Sequence, residues 1–234
     1  MFARCGNRRA TVCPACSHRY AGDAFHLIRA GLAGGDKGVP TSVTGKPRLS
    51  SPLTAPSFGP VHTRRVPTRG RVGPCRCATH HREHDPALGP PGRPRQLRLR
   101  RDGAVQAQVG RLWHRFTVAL RRGLAIRLGV PGWRFREHAR RSYAKVAKYQ
   151  RRGLVHFHAA IHLDGPDGPA DPPPPGLHLD ALRDAVLEAA RSVAIDITRP
   201  DGTPLVLGWG AQVDVRHIIT TRAEQVEDER GCSR

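Results

Sequence analysis

The sequence predicts an α+β fold in which an antiparallel sheet carries helices on one face. Predicted elements follow one another from Arg48 in the order β-α-β-β-α-β. The two central strands are separated by Arg151–Gly153, a connection of hairpin length that supplies a glycine for the turn. Helices and strands in this order form the split βαβ, or ferredoxin-like, arrangement.

Helical periodicity predicts three helices. Ser17 is a candidate N-cap for the first helix, which is expected to stop at Gly34 and Gly35. Apolar residues recur every three or four positions in the other two. The predicted helices are about 18–33, 107–128 (Trp113, Phe116, Leu120, Leu124) and one marked by Leu182, Val186, Ala189 and Val193.

Strand-like runs lie between these helices and after the last one. They are Arg48–Ala55, SYAKVAKYQ (142–150), LVHFHAAIHL (154–163), Leu205–Trp209 and Gln212–Ile218, the last two as a final pair. Residues 74–101 show little periodicity, and RPRQLRLRR is typical of a solvated basic run. The predicted organisation is a Cys-containing segment with one helix at 1–47, the main domain at 48–218 with a loop insertion at about 63–106, and an aberrant or disordered tail at 219–234.

The charge balance favours a polyanionic partner. The 234 residues include 39 Lys and Arg against 19 Asp and Glu, a formal net charge of +20, and 35 of the cations are arginine. The planar guanidinium group binds two phosphate oxygens at once. The alternative is a GC-rich reading frame without a selected binding surface, which would explain arginine over lysine but not the excess of cations.

Neither a membrane span nor a signal peptide is predicted. No stretch approaches 18 consecutive apolar residues, and MFARCGNRRA lacks an apolar signal core. We therefore expect a cytoplasmic protein, whose six cysteines act as thiols or metal ligands.

The strand LVHFHAAIHL carries the sharpest chemical feature. Because alternate residues of a strand point the same way, His156 and His158 share one face, with His162 further along. Two neutral imidazoles one strand repeat apart can bind a divalent cation. The bland alternative is a polar sheet face that happens to carry histidines.

Two cysteine clusters are candidate zinc sites. Cys5, Cys13 and Cys16 form C-x7-C-x2-C, in which the short gap lets two sulfurs reach one ion. Cys75 and Cys77, followed by His81, form a second cluster that could complete the first or stand alone. Free thiols in arginine-rich loops are the alternative.

Four separated blocks resemble one protein family. YAKVAKYQRRGLVHFHAAIHLDG is similar to the HUH segment of rolling-circle replication initiators of actinobacterial plasmids. LTAPSFGPVH resembles their first motif, a strand ending in Leu-Thr-x-Pro, and the segments CGNRRATVCPACSHRY and GRLWHRFTVALRR also match. The blocks follow the family's order and cover most of 5–216.

The resemblance implies a DNA-nicking enzyme on an HUH-type split βαβ sheet. Its paired histidines hold Mg²⁺ or Mn²⁺, which polarises the phosphate that a tyrosine attacks. The family's third ligand, commonly glutamate, is expected where this chain has Lys148, which offers no lone pair while charged. Gln150 or His162 are the possible substitutes.

The nucleophilic tyrosine of the family lies downstream of the histidines, followed by a lysine. This sequence has Tyr20, Tyr143 and Tyr149, and none follows His158. Tyr143 and Tyr149 are upstream candidates, in the order that conjugative relaxases use, but they are predicted strand residues. We therefore expect a truncated copy that does not nick DNA.

The favoured hypothesis is a replication initiator of a rolling-circle plasmid or integrative element. It would bind single-stranded or hairpin origin DNA, with host helicase as a further partner. The predicted phosphate contacts are Arg151, Arg152, Arg121 and Arg122. The alternatives are a non-catalytic zinc-dependent nucleic-acid-binding protein and a non-functional fragment.

Overall fold

The structure is a computed structural model with three helices, six strands and two short 3₁₀ turns in the part of the chain that it describes. That part is residues 5–54, 62, 64, 73–75, 78–85, 88, 97–149, 155–198 and 202–219, with 97–106 and 149 described by their backbone alone. In chain order the elements are α1 (Pro14–Ala33), β1 (Arg48–Thr54), α2 (Leu97–Arg127), β2 (Arg140–Tyr149), β3 (Val155–Asp164), α3 (Leu179–Ser192), β4 (Ala194–Thr198), β5 (Pro204–Gly208) and β6 (Arg216–His217), with the 3₁₀ turns at Thr41–Gly45 and Phe135–Glu137.

The main sheet has the strand order β2-β3-β1-β6, and every neighbouring pair is antiparallel. β2 and β3 form the predicted hairpin, whose connecting residues 150–154 lie outside the described ones. β4 and β5 form a separate two-stranded sheet. Mixed α and antiparallel β structure confirms the predicted α+β class.

The two faces of the main sheet differ sharply. Alternate residues of β3, from Val155 to Leu163, are buried in one core with the apolar sides of α2 and α3. Trp113 of α2 joins the layers, because its ring contacts Phe157 at a centroid distance of 5.7 Å and Phe116 at 5.4 Å. Side chains on the opposite face, hereafter the open face, include both histidines of the HxH pattern.

The predicted start of the first helix is wrong. α1 begins at Pro14 and Cys13 is its N-cap, since proline has a fixed φ and lacks only an N–H that the first helical turn does not use. Ser17 lies inside the helix, and its hydroxyl donates to the Arg8 carbonyl at 3.0 Å. The stop at Gly34 is confirmed, because that residue is the C-cap with φ 71°.

α2 starts ten residues earlier than predicted. Its first turns cover Leu97–Arg101, within the run taken for a solvated basic loop, so the loop insertion is shorter than 63–106. Leucine and arginine have good intrinsic helix propensity, and this outweighs the missing apolar periodicity.

Both strands of the predicted final pair are present, but they do not pair with each other. β5 is present, but its partner is β4, a strand that the sequence did not predict. β4 buries Ile195 and half-buries Ile197 between exposed neighbours, the alternation of a half-buried strand. β6 has only two residues and pairs with β1. The predicted tail lies, apart from Ile219, outside the described residues.

Within the described residues, no helix combines the length and apolar character that crossing a membrane requires.

Candidate metal centre on the open face

His156 and His158 lie side by side on the open face. Their ring centroids are 4.4 Å apart at an angle of 71°. His158 is exposed and His156 is half-buried. Both imidazoles are therefore available to one ligand that approaches the sheet from solvent.

Thr54, the last residue of β1, fixes the orientation of His156. The two residues are partners across the β1–β3 ladder, and Thr54 Oγ1 lies 2.6 Å from His156 Nδ1. A hydrogen bond that engages Nδ1 makes Nε2 the ring nitrogen suited to hold a metal. The sequence analysis placed Thr54 inside the Leu-Thr-x-Pro block but assigned it no role.

The surroundings of His156 favour its neutral form. Burial, His158 and Lys148 together lower the pKa of His156 from its ordinary value. A metal ion binds neutral imidazole, so the lowered pKa reduces competition from protons near neutral pH.

The residue expected at the third ligand position lies next to the histidine pair, but it is a lysine. Lys148 on β2 pairs directly with His156 on β3. Gln150, one possible substitute, lies outside the described residues. His162 lies four residues beyond His158, about 13 Å along the strand, and its Nε2 is 3.0 Å from Asp164 Oδ2.

A buried ion pair between Lys46 and Asp164 lies at the end of the open face away from the two histidines. Lys46 Nζ donates to Asp164 Oδ1 at 2.8 Å and to the carbonyls of Pro169 and Asp171 at 2.8 and 2.7 Å. Burial acts to raise the pKa of Asp164, but hydrogen bonds from His162, Lys46 and Ser142 outweigh it and hold that pKa at about 2. This network holds the His162 ring at the end of the strand away from the histidine pair.

Two of the three tyrosines can be placed relative to the histidines by their side chains. Tyr143 pairs with Ile161, a core-facing residue of β3, and packs edge-on against Trp113 at 5.1 Å. Its ring is therefore on the helix side of the sheet. Tyr20 is exposed on α1 with the Arg8 guanidinium over its ring. Tyr149 is paired with Val155 through its backbone.

The predicted phosphate-binding arginines do not all lie near the histidines. Arg121 and Arg122 belong to α2, in the layer that covers the other face of the sheet. Arg141 of β2 lies close to Arg121, since burial, Arg121 and Arg136 all lower the pKa of Arg141. Arg151 and Arg152 lie outside the described residues.

Cys5, Cys13 and Cys16 come together as predicted. Their sulfurs lie within 4.8 Å of one another, and Cys5 Sγ is 3.6 Å from Cys16 Sγ. Three tetrahedral thiolate ligands of zinc would stand about 3.8 Å apart. Hydrogen bonds from Cys13 and Cys5 lower the pKa of Cys16, which favours a thiolate at the start of α1.

The second predicted cluster gains a residue that the sequence analysis left out. Cys75 and His81 gather with His62, and their donor atoms also lie within 4.8 Å of one another. Cys77 lies outside the described residues. His62 is 13 residues from Cys75 in the sequence, so no metal-ligand spacing pointed to it.

The sequence of the chain matches a known family of proteins. The family described as "replication initiator protein, pSAM2" (RepSA) matches residues 1–233. A replication initiator protein of Streptomyces ambofaciens is 44% identical over 218 residues, which cover 92% of this chain and 46% of the relative. The chain thus spans about half the length of that curated relative. No solved structure matches. With its whole described fold inside the matched residues, the chain belongs to the RepSA family of replication initiator proteins.

Proposed function

We propose that this chain binds the origin DNA of a rolling-circle plasmid or integrative element, and that His156 and His158 hold Mg²⁺ or Mn²⁺ against its phosphate backbone. The observation that carries the proposal is the pair of adjacent imidazoles, one of them oriented by Thr54, on the face of the sheet opposite α2 and α3. The net charge of +20 supports a nucleic-acid partner.

The residues fit such an ion as a two-histidine site. His156 and His158 offer ring nitrogens as ligands, the lowered pKa of His156 favours its neutral form, and Lys148 stands across the ladder from His156 in place of an oxygen donor. A bound divalent ion would polarise the scissile phosphate and stabilise the charge that develops there. The chain itself orients His156 through Thr54, and burial, His158 and Lys148 lower the pKa of His156.

The strand order supports an HUH-type sheet. β3, which carries the histidines, lies between β1 and β2, and α2 connects those two strands in the sequence. A β-α-β unit split by a third, antiparallel strand is the arrangement that the resemblance implies.

We further propose that none of the three tyrosines of this sequence is a nucleophile for nicking. Tyr143 faces the helices, so its hydroxyl approaches the sheet from the wrong side. Covalent attack requires the nucleophile within about 3–3.5 Å of the phosphorus. The metal site would then serve this chain in positioning DNA.

The test combines metal binding with DNA binding. Mn²⁺ is titrated into the full chain and followed by electron paramagnetic resonance, and a fluorescent single-stranded or hairpin oligonucleotide is followed by anisotropy. H156A/H158A should lose Mn²⁺ binding and the Mn²⁺-dependent part of DNA affinity. H114A, which removes an exposed histidine from α2, is the matched control. Equal Mn²⁺ binding by H156A/H158A and wild type would refute the site.

Nicking is tested separately with oligonucleotides that tile the DNA flanking the coding sequence. The expected result is no covalent protein–DNA adduct with Mn²⁺ on a denaturing gel. An adduct abolished by Y149F or Y143F would show that an upstream tyrosine reacts, and would overturn the second proposal while leaving the metal site intact.

A zinc-dependent, non-catalytic DNA-binding protein is the second candidate. The gathered Cys5, Cys13 and Cys16 favour it, and so does the cation at the third ligand position. This function predicts that C13S/C16S loses DNA binding while H156A/H158A retains it fully. The first candidate predicts that H156A/H158A loses the Mn²⁺-dependent part.

A further inference from the structure

The chain between β1 and α2 brings three metal-ligating side chains together from separate positions. His62 Nδ1 lies 3.1 Å from His81 Nε2, and Cys75 Sγ lies 3.9 Å from His62 Nδ1. These three residues, the His62 group, are distinct from the group at Cys5, Cys13 and Cys16. Sequence spacing did not pick out His62.

The distances suit a tetrahedral zinc ion. Zinc binds imidazole nitrogen at about 2.0–2.1 Å and thiolate sulfur at about 2.3 Å. At a tetrahedral angle two such nitrogens stand about 3.3 Å apart, and a nitrogen and a sulfur about 3.6 Å. The observed separations differ from these by a few tenths of an ångström. A hydrogen bond between the two rings would explain the first distance but not the nearby sulfur.

Asp85 sets His81 in the orientation that a metal ligand needs. His81 Nδ1 is 2.7 Å from Asp85 Oδ2, so a ring N–H there donates to a carboxylate. That tautomer leaves the lone pair on Nε2, the nitrogen that faces His62. A carboxylate behind a ligating histidine is the usual outer support of protein zinc sites.

Burial in this segment is concentrated on the same residues. Among the described residues from 62 to 88, only Cys75 and His81 are buried, with 6% and 7% of their surface exposed. Burying an imidazole is unfavourable unless its polar atoms are bound. In the described part of this segment no apolar cluster accompanies the burial. The buried centre of the segment is thus polar.

The local backbone presents the ligands. Cys75 N–H donates to the Thr79 carbonyl at 3.0 Å and Ala78 N–H to the Cys75 carbonyl at 2.8 Å, which closes a tight turn at the sulfur. Ala78 has φ 66°, a left-handed conformation that such a turn requires. A single parallel β-bridge pairs the backbone of His62 with that of Leu88.

We propose that His62, Cys75 and His81 bind a structural Zn²⁺ ion, with Asp85 orienting His81. Zinc would stabilise the described residues between 62 and 88, which bury no apolar cluster. They follow β1 in the sequence, whose last residue, Thr54, contacts His156.

Zinc content is measured on the full chain by mass spectrometry after purification in zinc-containing medium. H62A, C75S and H81A should each lower it by about one equivalent. D85N should weaken zinc affinity by about 10–100-fold. H80A and H84A are matched controls, because both histidines are exposed and flank His81 without joining the group. Wild-type zinc content in C75S and H81A would overturn the proposal.

Cobalt substitution provides a measurement that does not depend on the stability of those variants. The variant C5S/C13S/C16S keeps the His62 group and removes the three thiols of the N-terminal cluster, which leaves Cys75, Cys77 and Cys232. Loaded with Co²⁺, it should show the visible absorption of a tetrahedral ion and a thiolate-to-cobalt charge-transfer band, which adding C75S abolishes. Absence of both bands in the triple variant would also overturn the proposal.

Discussion

Lys148 lies directly opposite His156 on the neighbouring strand, so a cation stands beside the pair of histidines that we propose to bind metal. Replacing it with a carboxylate should complete the site. We expect K148E to bind Mn²⁺ at least about tenfold more tightly than wild type, a difference of about 1.4 kcal/mol. Isothermal titration calorimetry measures it.

The control for that substitution is K148Q, which removes the charge and adds only an amide. It should show a smaller gain than K148E, because the repulsion is relieved but no anionic ligand is supplied. If K148E binds Mn²⁺ no better than wild type, residue 148 is not the third position.

Thr54 should matter for metal affinity and hardly at all for folding. T54V keeps the shape of the side chain and removes the oxygen that lies 2.6 Å from His156 Nδ1. Loss of such an orienting contact weakens metal binding by about 10–100-fold. S50A, on the same face of β1, is the matched control and should bind Mn²⁺ like wild type. Equal affinities for T54V and S50A would contradict the role of Thr54.

The ion pair of Lys46 and Asp164 should contribute strongly to stability. Their side chains are 5% and 2% exposed. D164N strands the Lys46 ammonium in a buried site, and we expect about 3–5 kcal/mol of lost unfolding free energy by urea denaturation. E137Q breaks the exposed Arg134–Glu137 pair and should cost less than about 1 kcal/mol. K46M/D164L should be milder than D164N, because it leaves no unpaired charge.

The same carboxylate predicts a specific pH dependence. The pKa of Asp164 is held at about 2, below its ordinary value of 3.8. The contribution of ionised Asp164 to the free energy of unfolding is therefore fully present above pH 3.8 and is lost as the pH falls through about 2. It amounts to about 2 kcal/mol. The difference in unfolding free energy between wild type and D164N should narrow by that amount between about pH 4 and 2. A constant difference would show that Asp164 is not the group that titrates.

The strands that frame the histidines could be predicted because their signals are local. Alternation in 142–150 and 154–163, with a short glycine-containing connection, defines a hairpin without reference to the rest of the chain. β1 was found to within one residue, since apolar and polar positions alternate before Pro56. The resemblance added the register, and it correctly placed position 148 beside His156.

The missed features depend on contacts between distant segments. Asp164 and Lys46 are 118 residues apart, and no pattern in either segment predicts that they pair. His62 joins Cys75 and His81 only once the loop after β1 has folded. β4 was missed because it is only five residues long and follows α3 directly, so that Ile195 and Ile197 alone mark the strand.

Pro52 of β1 explains why Thr54 faces His156 and not the core. The carbonyls of Arg48 and Thr54 accept hydrogen bonds from the N–H groups of Ile218 and Gly210, on the side of β1 away from β3. Pro52 is an even number of residues from both, so its backbone groups face the same side. The side of Pro52 that lacks an N–H therefore faces away from β3. No β6 residue is paired there, because β6 pairs only with Leu49 and Ser50. A slip of one residue would turn that nitrogen toward β3, remove a ladder hydrogen bond and rotate the threonine into the helices. The proline thus fixes the register of β1, because its missing N–H is tolerated only on the side where β6 has ended, and this register places Thr54 opposite His156.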